Sequence, residues 1–442
     1  MTEYKFDLVV IGAGPAGLAA AYEAKQLGKN VAILEEYMWG GTCPNYGCDP
    51  KKILLSAVEG IKREQAMQTR GLKGPLAIDW PALMAYKQEY VDAVNPRKIS
   101  GLEAAQIKHF YGHATFIDEQ SVSIAGDTIT ADKWIIAVGQ SPKKLDFPGA
   151  ELTEDNEDFL NLPTMPEDVT FIGGGYIGVE FANISNVAGA HVRVITRSET
   201  ILHEFDQVLV QQMIENMTNE GVEWHFNQQV RQIERANGRL LVTLNDGTQF
   251  STDKVYATAG RVGNTQKLKL KNAGVKYRDT GILVNEYLQT SNPNIYAVGD
   301  VAESPVPKLV PVGNYEGRYV VRLLAGSESQ PIQYPTIPVV VFGTPRIAQT
   351  GIGIEEAKRR GYRITDIDMS KVITFFRYHD QVRVRTAIDD DGLIVGASII
   401  ASEAEELLNY FVTAINEKRT LHETQANIYA YPSLGSEFAI FY

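Results

Sequence analysis

Leu8-Val9-Val10-Ile11-Gly12-Ala13-Gly14-Pro15-Ala16-Gly17 is an apolar run that ends in a Gly-x-Gly-x-x-Gly loop, with an alanine-rich segment to Leu27 behind it. The run predicts a strand and the segment after the loop a helix. Gly12 permits a tight turn, Gly14 lets the backbone approach a pyrophosphate, and Gly17 lets the helix pack closely on the strand. A pyrophosphate would then sit among the free N–H groups of the helix N-terminus. The next apolar strand, Val31 to Leu34, ends at Glu35. That is about the 20-residue distance at which an acid binds ribose hydroxyls.

The same pattern returns about 160 positions later. Val169 to Ile172 lead into Gly173-Gly174-Gly175-Tyr176-Ile177-Gly178, a helix is predicted to about Val187, and Val192 to Ile195 form the following strand. Two βαβ units predict an α/β protein with two Rossmann-like dinucleotide folds. The second unit ends Thr196-Arg197, with no carboxylate. An acid there would repel a 2′-phosphate, whereas an arginine pairs with it bidentately. This favours NADPH over NADH, with His203 as a secondary contact; the alternative is that Arg197 is a solvated surface residue.

Elsewhere, residues 50–100 read as helical, and Trp134 to Val138 and Lys254 to Thr258 read as apolar strands ending near Gly139 and Gly260. After Pro335 the texture changes. A Val339–Phe342 run, a Val372–Phe376 strand, apolar–polar alternation through Val382 to Arg385 and helices near 354–360 and 402–416 predict a separate α+β domain. A chain of 442 residues exceeds what one core supports, so two to four domains are expected.

The net charge of −12 argues against a general electrostatic grip on nucleic acid or anionic membrane. No stretch approaches the roughly 18 apolar residues of a membrane helix, and no basic segment with a cleavage site precedes Phe6. A cytoplasmic protein is expected. Its two cysteines, Cys43 and Cys48, lie five positions apart. In a reducing compartment such a pair is more often catalytic or metal-binding than structural. No further ligand stands at metal spacing, so no metal site is expected.

The pair lies in Gly40-Gly41-Thr42-Cys43-Pro44-Asn45-Tyr46-Gly47-Cys48-Asp49-Pro50-Lys51-Lys52. This stretch resembles the redox-active segment of the flavin disulfide reductases, the class I pyridine nucleotide–disulfide oxidoreductase family of glutathione reductase, dihydrolipoamide dehydrogenase and mercuric reductase. Thr290 to Asp300 resembles the family's second flavin segment, and Ala259 to Asn264 the segment closing the NADPH domain. In an ideal helix, residues five apart have Cα atoms roughly 8.6 Å apart. A disulfide tolerates about 4.4–6.8 Å, so if the two cysteines bridge, the segment is a distorted turn, which Pro44 and Gly47 permit. A strained, accessible bridge is readily reduced; the alternative is two free buried thiols.

The resemblance implies roles. Cys48 would lie against the flavin, Cys43 would exchange with substrate, and Lys51 would sit beside the flavin and pair with Glu180. Gly12, Gly14, Gly17, Glu35, Thr42, Lys51, Ala114 and Asp300 would hold FAD. Gly173, Gly175, Ile177, Gly178, Arg197 and Gly260 would hold NADPH. His113, beside Ala114, matches a flavin-adjacent position with a structural role. It further implies an FAD domain at 1–148 and 265–331, split around an NAD(P)H domain at 149–264, with a dimerisation domain at 332–442 and a homodimer.

The chain departs from the family near its C-terminus. Most members carry His-Pro-Thr-x-x-Glu, supplied across the dimer; here Tyr431-Pro432-Ser433-Leu434-Gly435-Ser436-Glu437 stands instead. Tyr431 takes the histidine position and Ser436 that of the glutamate. A tyrosine near pKa 10 is an adequate proton donor and a poor base. Two readings are open: Tyr431 still serves a small-disulfide reductase, or thiol chemistry has given way to another output. That output would be flavin-dependent reduction of quinones, metal ions or oxygen, or low-turnover redox or nucleotide sensing. His422, in a polar stretch, reads as surface. Pro15 and Tyr22 stand where glutathione reductases carry a serine and an arginine, so glutathione disulfide is not the expected substrate. Arg318 matches a substrate-side arginine that lipoamide enzymes share.

Overall fold

Val9, Val10 and Ile33 are completely buried, because the apolar run at the N-terminus is a central strand with covered faces. In the computed structural model, which describes residues 2–440, this strand is β1 (Glu3–Ile11). Helix α1 (Pro15–Gln26) and strand β2 (Val31–Glu35) follow it. The outer ends of the expected first and last domains, Met1 and Phe441–Tyr442, lie outside the described residues.

The chain forms two units. The first is assembled from residues 1–53, 85–143 and 260–333. Its main sheet runs Lys108–Tyr111, β2, β1, Asp127–Ile136, Ser121–Ile124, Thr115–Phe116, and Ile295–Ala297 also pairs with Asp127–Ile136. β1 is parallel to both neighbours, with Val10 opposite Ile33 and Ile135. On one face pack Leu18, Ala20, Ala21 and Ala24 of α1, and the other face is filled by residues such as Phe116, Trp134 and Ile282. Small alanines on α1 let the helix Val310–Leu324 come close: a Cβ at Gly317 would stand 2.5 Å from the Ala16 carbonyl oxygen.

The second unit comprises residues 54–84, 144–259 and 334–442. It contains a four-stranded parallel sheet in the order Glu223–His225, His191–Ile195, Asp168–Ile172, Lys254–Ala257, and an antiparallel three-stranded sheet over 230–252. Its C-terminal part is a five-stranded antiparallel sheet with the helix Ala404–Asn416 packed on it. The architecture is α/β: two Rossmann-like folds and a C-terminal α+β domain.

One expectation fails here. Val372 to Phe376 do not form a strand but a helical turn over Ile373–Phe376, in which Phe376 N–H donates to the Val372 carbonyl at 2.7 Å. The strand Arg363–Asp368 already pairs with Arg383–Ile388, and Met369 N–H to Val382 O closes that ladder. The intervening residues are therefore the connection. In the strand Arg383–Ile388, Arg385 is 4% exposed. Its guanidinium is ion-paired with Asp206, the N-cap of the helix Gln207–Asn219, and its Nε lies 3.2 Å from Asp366.

Candidate functional site

The two glycine loops are built alike. A Cβ at Gly12 would meet the Ala137 carbonyl oxygen at 2.4 Å, and one at Gly17 the Gly12 carbonyl oxygen at 1.9 Å. Only glycine lets strand, turn and helix close to that distance. In the second unit Gly173 and Gly178 stand in the same relation to Thr258 and Gly173. The middle glycines differ: Gly14 has nothing nearer than Gly41, at 4.0 Å, and Gly175 nothing within 4 Å. Gly14 and Gly175 are N-caps in extended conformation, and no side chain caps either helix. Ile177 is the second residue of the latter helix. Two open helix N-termini with room over the middle glycine suit the pyrophosphates of FAD and a nicotinamide nucleotide.

Glu35 ends β2 and is half-buried, its carboxylate accepting from the N–H groups of Ala13 (2.7 Å), Glu36 and Tyr37 (both 2.9 Å). Burial pushes its carboxyl above the ordinary range, against the pull of those three donors. Asp300, in the turn Gly299–Val301, is likewise pushed up by burial and held back by the positive charges of Arg261 and Lys308. Both lie in the first unit, as an FAD site requires. Ala114 is buried in its core, and His113 bonds Glu36 (2.5 Å) and the Lys267 carbonyl (3.1 Å), a structural role. Arg197 and His203 are exposed beyond the strand His191–Ile195, and Gly260 is open, with nothing within 4 Å of a built Cβ.

Cys43 lies in α2 (Thr42–Tyr46) and Cys48 opens α3 (Cys48–Met67). Gly47 breaks the two helices apart at φ −137°, ψ −119°, and a Cβ there would stand 2.8 Å from the Thr42 carbonyl oxygen. The break makes the two thiols neighbours where a continuous helix would separate them. Neither is in a disulfide, and a hydrogen bond joins the two thiols. That bond, then burial, then the negative charges of Cys48 and Asp49 push the Cys43 thiol far up.

Two residues that sequence reasoning passed over complete this cluster. Cys43 Sγ donates to Asp49 Oδ1 at 3.7 Å, and the hydroxyl of Tyr90, on α4 (Trp80–Asp92), donates to Asp49 Oδ2 at 2.6 Å. An acid directly after the second cysteine was the available signal. Tyr90, 41 positions on, gave none.

Lys51 follows on α3 in the first unit. Glu180 is buried in the second, where its Oε1 accepts from the Phe342 N–H at 2.9 Å. Tyr431 is 73% exposed. Glu437 points inward to Thr374. His422 is exposed on the helix Leu421–Gln425, and Arg318 is exposed on Val310–Leu324. Pro15 opens α1; Tyr22 is half-buried, its hydroxyl 2.8 Å from where a Cβ on Gly101 would stand. Among the described residues no helix is long and apolar enough to cross a membrane.

Residues 6–317 match the family described as pyridine nucleotide-disulphide oxidoreductase, and residues 337–440 match its dimerisation domain. The chain is 32% identical to a glutathione reductase of Burkholderia cepacia, over 99% of this chain and 98% of that protein. It is 30% identical to a dihydrolipoyl dehydrogenase of Chlamydia muridarum (98% and 95%). It is also 30% identical to a mercuric reductase of Staphylococcus aureus (95% and 78%).

Proposed function

Because the chain belongs to the pyridine nucleotide–disulphide oxidoreductases, FAD-dependent NAD(P)H enzymes acting on sulfur groups, we propose that it reduces a small disulfide with NADPH, using Cys43 and Cys48. The observation that carries this reading is the helix break at Gly47, which makes the two thiols hydrogen-bonded neighbours.

Gly12, Gly14, Gly17, Glu35, Thr42, Lys51, Ala114 and Asp300 would hold FAD; Gly173, Gly175, Ile177, Gly178, Arg197 and Gly260 would hold the nicotinamide nucleotide. When bound, FAD supplies the two-electron relay between nicotinamide and the cysteine pair. Cys48, at the first position of a 20-residue helix, is favoured as the thiolate by the positive helix end and by Lys51 one turn on. Cys43, which keeps its proton, is the thiol that exchanges with substrate. The match to a dimerisation domain supports a homodimer. Tyr431, exposed near the C-terminus, is assigned as the group that protonates a departing thiolate of the other protomer. A phenol near pKa 10 serves as a donor at neutral pH. Pro15 has no donor and Tyr22 is turned to Gly101, which favours a small disulfide other than glutathione disulfide. The expected compartment is the cytoplasm.

Anaerobic titration with NADPH, with alkylation and mass spectrometry counting thiols, should expose Cys43 and Cys48 together, followed by turnover on one of a panel of disulfides. Quinone reduction that survives Cys43→Ser, with no disulfide turnover in the wild type, would make the protein a flavin-dependent quinone reductase. Turnover below about 10⁻² s⁻¹ on every acceptor, against the usual 1–10³ s⁻¹, would make it a sensor. An undiminished disulfide rate in Tyr431→Phe would remove Tyr431 from the mechanism.

A further inference from the structure

Both oxygens of Asp49 are engaged, one by the Cys43 thiol (3.7 Å) and the other by the Tyr90 hydroxyl (2.6 Å). Asp49 is the second residue of α3, where the helix end favours a negative charge. The Tyr90 hydroxyl is pushed up, first by its bond to Asp49, so it stays a donor over the working range. The Arg97 guanidinium, on α5 (Val94–Ala104), stands 5.5 Å from the centre of the Tyr90 ring. The titratable and charged groups that bear on Cys43 include Cys48 and Asp49, and beyond Asp49, Tyr90 and Arg97.

We propose that Asp49, oriented by Tyr90, is the proton acceptor and donor of Cys43, supplied by the same chain as the thiols. The proposal rests on the disulfide-reductase reading and fills a gap in it. Tyr431 is a poor base, Ser436 is no acid at neutral pH, and Glu437 is held by Thr374.

The protons and electrons balance as follows. A hydride brings two electrons and one proton, so opening the Cys43–Cys48 bond leaves one thiolate and one thiol. Asp49 accepts the bond from Cys43 and repels negative charge there, which keeps the proton on Cys43 and the charge on Cys48. Cys43 Sγ then attacks one sulfur of the substrate. Its S–H proton passes to Asp49 Oδ1, the substrate S–S bond breaks, and the departing thiolate takes that proton back from Asp49. Cys48 next attacks Cys43 Sγ, the Cys43–Cys48 bond re-forms, and the second substrate thiolate leaves with a proton from solvent. The substrate gains two electrons and two protons, one of them from the enzyme.

Magnitudes fix the timing. An ordinary carboxylate and thiol differ by about 4.6 pKa units, so the proton moves only while the sulfur is giving up its electron pair. Asp49 touches the reacting sulfur and is a catalytic residue. Tyr90 acts through Asp49 and is a positioning residue.

Asp49→Asn and Tyr90→Phe in the full-length FAD-loaded dimer test this. Disulfide turnover should fall about 10²-fold in Asp49→Asn, the lower end of what a positioned acid–base group contributes. Alkylation of Cys43 in NADPH-reduced protein, located by fragmentation mass spectrometry, should move its midpoint down by about one pH unit, since a negative neighbour is gone. In Tyr90→Phe the acid limb of kcat/KM should move to higher pH, because Asp49 loses a bond that favours its charged form. Turnover within twofold of wild type in Asp49→Asn, or an unmoved Cys43 midpoint, overturns the proposal. If Asp49→Asn does not fold, an unmoved acid limb in Tyr90→Phe overturns it. Failure of the wild type on every disulfide overturns the functional reading instead, and the alkylation midpoint still decides whether Asp49 is the proton partner of Cys43.

Discussion

Thr374 donates its hydroxyl to the Glu437 carboxylate at 2.6 Å, with both side chains buried. Glu437 sits one residue past the position where the family places its acid, yet it serves the core of the C-terminal domain. Thr374→Val should therefore cost stability and spare the chemistry. Leaving a buried carboxylate short of a donor costs about 1–3 kcal/mol, a fall of roughly 2–10 °C in a melt. Disulfide turnover should stay within twofold; a large loss would bring Glu437 back into the mechanism.

Arg197 ends the second βαβ unit where a ribose-binding acid would otherwise stand. Arg197→Ala should lower the ratio of kcat/KM for NADPH over NADH by about 10–100-fold, the worth of one hydrogen bond to a charged group. Steady-state kinetics with both nucleotides measures this, and a wild type that prefers NADH ends the assignment.

Glu35 carries a carboxyl pushed up by burial. As pH falls it takes a proton earlier than an exposed glutamate and loses the acceptor proposed for the ribose. A raised folded-state pKa means that the ionised form, and FAD retention with it, is complete well above that value and lost as pH falls through it. Glu35→Gln should bind FAD about 10-fold or more weakly at neutral pH, with little further change on acidification. Flavin absorbance after gel filtration at a series of pH values separates the two.

The Asp206–Arg385 pair is buried and charged on both sides. Removing Asp206 leaves the buried guanidinium with its Asp366 contact, so Asp206→Leu should cost about 3 kcal/mol in denaturant unfolding, the lower end for a broken buried pair. Adding Arg385→Met should recover most of it, less about 1 kcal/mol for the lost helix cap. Equal and additive losses would mean that the pair is not coupled.

Both glycine loops were legible because strand, loop and helix are contiguous and Gly17 answers to Gly12 in the same loop, although Gly12 itself closes on Ala137 of a distant strand. The Val372–Phe376 turn was not. Its β-branched residues favour a strand, but the Met369–Val382 bond, which no local pattern encodes, had already closed the ladder. Nor was the burial of Arg385, which depends on Asp206, 179 positions earlier. The closeness of the two cysteines was legible from their spacing and from Gly47 between them. Their proton partners were half legible, since Asp49 adjoins Cys48 while Tyr90 arrives on another helix.

The glycines that leave α1 and the helix Tyr176–Val187 uncapped also tie the life of the protein to its supply of nucleotides. Amides left to water or an anion make the empty chain the less stable form, and a ligand at a hundred times its dissociation constant adds about 2.7 kcal/mol. A cell short of flavin would then hold less of this protein as well as a less active one, because the empty chain opens more often and meets proteases. The amount of protein present becomes a slow record of cofactor supply, kept by the same two helix ends proposed to bind it.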